Sequence, residues 1–174
     1  DTGGSVRIPL AFNGLTGLKV TFGRISLHGT GLLSWTLDSI GPMARNVADC
    51  ALVLDALAGT DHRDPGTLCQ PLEQFHREPR AVRGLRLALP DATQLPAFMD
   101  PGVIAAWQAA AKVFESLGVQ VIGTRLPEWY FDLSVPAGRI IASEAFALHG
   151  AYVHDPAVPL GDAVRKRILA AEAF

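Results

Sequence analysis

The sequence predicts an α/β protein, and three observations carry that prediction. Residues 85–122 read as strand, helix and strand in succession, residues 47–58 as a capped amphipathic helix, and 49% of the 174 residues are hydrophobic, enough for a core. The length fits one domain, or part of one. A formal net charge of -2 and a longest cationic cluster of three residues, Arg165-Lys166-Arg167, give nucleic acid nothing to bind; that triplet reads as a solvated helix face. There is no run of about 18 apolar residues to span a membrane, and no basic start, apolar run and small-residue cleavage site of a secretory signal. A cytoplasmic setting is expected, and in it Cys50, inside a helical pattern, and Cys69, in a loop, are not expected to form a structural disulfide.

Taken in order, the chain opens on the turn-forming run Asp1-Thr2-Gly3-Gly4-Ser5. Residues 17–21 and 40–44 follow as short extended pieces edged by Gly and Pro. The helix at 47–58 has Asn46 as N-cap and Gly59 just past its end, with Val47, Cys50, Ala51, Leu54, Leu57 and Ala58 as one apolar stripe. Residues 60–83, with Pro65, Pro71, Pro79, two His and many charges, read as a surface excursion of little regular structure. LRLAL at 85–89 reads as a buried strand. Asp100 caps a helix that opens on Pro101 and closes before Gly118, with Val103, Ala106, Trp107, Ala110, Val113, Phe114 and Leu117 as its core face. VQVI at 119–122 alternates as a second strand, and a crossover of this length sets the two strands parallel and right-handed. Helices at 136–152 and 162–173 complete the chain.

The chemistry concentrates in the first five residues. Two glycines permit backbone angles closed to other residues, so that consecutive N–H groups can converge on one point, and Ser5 stands beside it with a hydroxyl. One short segment thus offers both an attacking oxygen and donors for the oxyanion that attack creates; an ordinary Gly-Ser turn is the plain alternative. The five histidines, His28, His62, His76, His149 and His154, have no metal-ligand spacing, and no metal site is expected. A triad of Ser5 with His28 or His149 stays open at this stage. Asp38 is expected to accept backbone N–H bonds from a buried position. Arg7 is expected to pair with a carboxylate and stiffen the loop. Trp35, Trp129, Tyr130 and Phe131 are candidates for an apolar pocket, or for packing.

DTGGSVRIP at 1–9, AFNGLTGLKVTFGRIS at 11–26 and LDSIGPMARNVADCALVLDALAG at 37–59 together resemble the amidase signature family of serine hydrolases. Asn13 and Val20 stand where that family usually has Cys and Pro. The resemblance implies a mixed β-sheet core covered by helices on both faces, of which residues 1–174 would be a partial domain. Its parts would be the nucleophile segment and signature core at 1–59, the excursion at 60–83, and the strand-helix-strand unit with C-terminal helices at 84–174. It further implies Ser5 as the acylated nucleophile and the backbone N–H groups of Thr2, Gly3, Gly4 and Ser5 as the oxyanion hole. The base would be a lysine acting through a second serine in a cis peptide, both upstream of this motif. None of Lys19, Lys112 and Lys166 matches that lysine, so these residues alone are expected to be inactive and to belong to a longer protein.

GDAVRKRIL at 161–169 resembles a segment of the family's glutaminase subunits, which makes Arg167 a candidate for a substrate carboxylate. The implied reaction is hydrolysis of a carboxamide C–N bond in a small-molecule amide, with no metal and no organic cofactor, no direct contact with nucleic acid or membrane, and with a homodimer compatible. The alternatives are the glutaminase subunit of a tRNA-dependent amidotransferase and a non-catalytic α/β body. The wording LHGTGLLSWTLD at 27–38 departs from the glutaminase branch and favours a free-standing amidase.

Overall fold

A computed structural model describes residues 1–68, 74–76 and 81–173. In chain order the elements are helix α1 (Arg7–Asn13), strands β1 (Thr16–Gly17) and β2 (Met43–Ala44), helix α2 (Val47–Leu57), strand β3 (Arg86–Pro90), helix α3 (Pro101–Ser116), strand β4 (Gln120–Thr124) and helices α4 (Ser134–Val153) and α5 (Asp162–Leu169). They form two compact units, one of Asp1–Arg77 with Ser134–Phe174, the other of Glu78–Leu133. The α/β class holds. The described strands make two separate ladders, β1 antiparallel to β2 and β3 parallel to β4.

In the first unit, α1 is a helix that the sequence reading does not contain. Pro9 is its third residue, inside the first turn, where an amide has no intrahelical partner to lose. Gly14 closes it in the left-handed conformation, φ 62°, with its N–H on the Leu10 carbonyl. Of the extended pieces expected at 17–21 and 40–44, strand pairing is confined to Thr16 with Ala44 and Gly17 with Met43. α2 agrees with its caps: the Asn46 side chain accepts from the Asp49 amide at 2.9 Å. Its expected stripe narrows to Cys50 and Leu54, which are buried, while Val47 and Leu57 stay exposed. Leu54 joins Val20 and Ile25 in one core cluster.

The region beyond α2 carries more order than expected. Asp64 starts a 3₁₀ turn at Pro65–Thr67, and Thr67 is fully buried, its hydroxyl accepting from the Asp61 amide at 2.8 Å. Cys69, Pro71 and Pro79 lie outside the described residues. A second cluster sits between α4 and α5, on Ala145, Val153 and Ile168. Arg165 corrects the solvated-face reading of the cationic triplet. Its guanidinium donates to the carbonyls of Val153, Asp155 (2.9 Å) and Val158 (2.7 Å), and so satisfies the frayed end of α4 and the loop after it.

In the second unit β3 pairs with β4 from Arg86↔Gln120 to Pro90↔Thr124. Asp100 caps α3 by accepting from the Gly102 amide at 2.7 Å, with Pro101 in the first helical position. Two expectations are corrected here. The strand at 85–89 is half-buried rather than buried, with Leu85 exposed. In α3 Ala111 is buried and Ile104 and Trp107 are half-buried, whereas Val103, Ala106, Ala110, Val113, Phe114 and Leu117 are exposed. Gln108, Lys112 and Glu115 put the polar side of α3 on one face, but the two-stranded ladder covers only the strip that contains Ala111 and leaves most of the apolar face exposed.

Candidate active site

The opening loop is held at both ends. The Asp1 carboxylate, inaccessible to solvent, accepts from the Val6 amide at 3.4 Å and from Arg7 Nε at 2.6 Å, so the pairing expected of Arg7 spans the loop. Between these ties Gly4 is buried with φ 121°, a conformation that side chains with a Cβ rarely adopt. Ser5 is exposed. Neither its hydroxyl nor the amides of Thr2, Gly3, Gly4 and Ser5 hydrogen-bond to any described residue. Four consecutive donors thus stand beside one free hydroxyl.

The loop rests on a buried polar layer. Thr2 Oγ1 donates to Asp38 Oδ1, and Asp38 Oδ2 accepts from the amides of Leu33 (2.8 Å) and Ser34 (3.1 Å). Asp38 therefore occupies the buried, amide-accepting position expected of it. Behind it, Ser34 Oγ donates to Glu144 Oε2 at 2.5 Å, and Glu144 also accepts from the Thr36 hydroxyl at 2.6 Å and the Thr36 amide at 3.1 Å. Desolvation pushes the Glu144 carboxyl up and nearby Asp38 adds to this. The hydrogen bonds from Ser34 and Thr36 outweigh both and leave it below its ordinary value of 4.5. The sequence reading missed Glu144, Ser34 and Thr36. The available signal was one acid in a 20-residue helix that has no other.

A group whose folded-state value is depressed stabilises the fold above its unfolded value, and that stabilisation is lost as pH falls through the folded value. The stability difference between wild type and Glu144→Gln is therefore expected to be largest near neutral pH. It should shrink as pH drops below 4.5, which urea unfolding at pH 7 and in mild acid would measure.

Each ring nitrogen of His149 is engaged, Nε2 donating to the Leu32 carbonyl at 2.7 Å and Nδ1 accepting from the Tyr152 hydroxyl. This leaves it no nitrogen for the Ser5 proton. His28 lines a cleft of about 360 Å³ with Trp35, Phe22 and Arg63, and makes no hydrogen bond to Ser5. Trp129, Tyr130 and Phe131 belong to the second unit, where Tyr130 and Phe131 pack edge to face at 5.3 Å. Among the described residues no three His, Cys, Asp or Glu side chains converge on one point.

An apolar cavity of about 350 Å³ opens between α4, α5 and the 33–38 loop, walled by Leu33, Ile141, Ala142, Ala145 and Val164. Arg167 is its one charged lining residue, and its guanidinium has no hydrogen bond or ion pair to a described residue. The cavity adjoins the glycine turn: a Cβ built on Gly3 would lie 3.9 Å from Ile141 Cδ1.

A family model described as Amidase matches residues 1–172 of this α/β chain. The chain belongs to the amidase family. It is 43% identical over 143 residues to a subunit of the glutamyl-tRNA(Gln) amidotransferase of Chromohalobacter salexigens, an overlap of 82% of this chain and 29% of that protein. Its fold is similar to the crystal structure of PAM12A, with TM-score 0.81, 29% identity, and coverage of all of this chain and 39% of that one. It is also similar to the native peptide amidase of Stenotrophomonas maltophilia, with TM-score 0.75, 27% identity and coverage of 98% and 39%. The chain thus spans less than a third of the curated relative's length. Among the described residues no helix is long and apolar enough to cross a membrane.

Proposed function

We propose that this chain carries the nucleophile and oxyanion hole of an amidase that hydrolyses a carboxamide C–N bond through an acyl-Ser5 intermediate, with no metal or organic cofactor. The observation that carries this reading is the row of four amides, Thr2 to Ser5, left without acceptors beside the exposed Ser5 hydroxyl. Ser5 Oγ attacks the amide carbon and the C=O oxygen becomes an oxyanion that these amides hold. Collapse of the tetrahedral intermediate breaks the C–N bond and releases ammonia or an amine once the nitrogen takes a proton. Water then attacks the ester and frees the acid.

A serine hydroxyl needs a base at neutral pH. His149 is committed elsewhere, and Lys19 donates to the Val20 carbonyl at 2.7 Å. The base in this reading is the lysine and second serine that the family places upstream of the motif. The cavity beside Gly3 receives the acyl group, and Arg167 at its edge faces a carboxylate or carbonyl of the substrate. Its aliphatic walls favour an acyl part with apolar surface.

A second reading has an observation of its own, the 43% identity to a glutamyl-tRNA(Gln) amidotransferase component. In it the same acyl-enzyme chemistry releases ammonia from glutamine for a partner. The test is ammonia or amine release by the full-length gene product from a panel of carboxamides. Release from simple amides by the protein alone supports the amidase. Release from glutamine only, and only when a partner protein is present, supports the second reading.

A further inference from the structure

We infer that Glu144 is a positioning residue for the oxyanion loop, acting through Ser34, Asp38 and Thr2; this rests on the function proposed above. Glu144 is the one acid in α4 and is 9% exposed. A carboxylate that deep is tolerated only when its lone pairs are filled. All three of its donors come from one short stretch, Ser34 and Thr36, some 108 to 110 residues away in the chain.

That stretch faces two ways. Ser34, with no exposed surface, gives its hydroxyl to Glu144 and its amide to Asp38, and its carbonyl takes the Asp38 amide at 2.8 Å. Asp38 passes the constraint on, because its second oxygen holds the Thr2 hydroxyl. Thr2 begins the row of amides. A continuous line of hydrogen bonds therefore runs from the middle of α4 to the donors proposed for the oxyanion. Leu33, fixed by Asp38, and Ala145, next to Glu144 in α4, also wall the apolar cavity. One buried carboxylate thus sets the cavity wall and the donor loop in a common frame.

Misplacement by about 1 Å of groups that act in a transition state costs up to about 100-fold in rate. In the full-length gene product, Glu144→Gln is expected to lower kcat about 10- to 100-fold and leave KM within about twofold. Thr2→Val, which deletes the hydroxyl at the other end of the line, should do the same, and the double variant should be no slower than the slower single. Ser34→Ala cuts the line in the middle and replaces Glu144→Gln in the cycle if that variant does not fold. An unchanged kcat, a rise in KM in place of a fall in kcat, or single effects that multiply in the double would each overturn the inference. Ser5→Ala separates the two levels. Turnover surviving in it sinks the proposed function, while turnover lost in it with a multiplicative Glu144/Thr2 cycle sinks the positioning role alone.

Discussion

Ser5→Ala is expected to abolish amide turnover in the full-length gene product, by at least about 1,000-fold in kcat, with no loss of fold. The two halves of this expectation have separate causes. The Ser5 hydroxyl is the free one in the opening loop, that of Thr2 being held by Asp38, and without it the proposed oxyanion donors would have no tetrahedral intermediate on the enzyme to stabilise. The same hydroxyl belongs to an exposed residue and bonds to no described residue, so its removal breaks no hydrogen bond among them. Substitutions of that kind stay within about 0.5 kcal/mol in stability. Rate and melting temperature measured on one preparation therefore separate a catalytic from a structural role. Wild-type turnover in Ser5→Ala would reject the nucleophile assignment.

Gly4→Ala has the next largest expected effect, through backbone geometry rather than a lost reactive atom. A Cβ at Gly4 would lie 2.7 Å from Ile8 Cδ1 and 3.1 Å from Ile8 Cγ1. Ile8 is 53% exposed, so the end of its side chain can swing aside. The φ of 121° cannot be relieved in that way, and a residue with a Cβ held there costs on the order of 1–3 kcal/mol. The loop either carries that strain or relaxes and turns the Gly4 and Ser5 amides away from the point proposed for the oxyanion. Misdirecting one such donor lowers kcat about 100- to 1,000-fold. Gly4→Ala combined with Ile8→Ala removes the side-chain clash and leaves the backbone conflict. The kinetics of this double variant should stay as poor as those of Gly4→Ala; recovery would mean that the clash with Ile8, and not the φ of Gly4, is what the turn cannot accommodate.

Both long capped helices were legible in the sequence because their end signals are local. Asn46 and Asp100 each accept from an amide two or three residues on, and Pro101 fits where its missing N–H is harmless. The pairing of β3 with β4 was legible for a related reason, since a strand, a 16-residue helix and a strand leave little choice but parallel. What the sequence hid depends on distant neighbours. α1 has no capping side chain at its start to announce it, although Pro9 in the first turn permits a helix. The buried face of α3 is chosen by the ladder that packs on it. At the site, Arg7 was readable as pairing with a carboxylate and Asp38 as a buried amide acceptor, whereas Glu144 meets Ser34 only in three dimensions, 110 residues away. Arg165 was misread for the same reason: its carbonyl partners lie on the chain reversal between α4 and α5, not on its own helix.

The central claim is that Ser5 is the residue acylated during turnover. Its most direct test is to inactivate the full-length gene product with a fluorophosphonate, which labels activated serines, and to locate the adduct by peptide mass while following residual amidase activity. The account predicts one adduct per active site, on the peptide that contains TGGSVR, at Ser5, with activity lost in proportion to labelling. Activity lost with the adduct on another residue, or turnover persisting with Ser5 fully labelled, would contradict it.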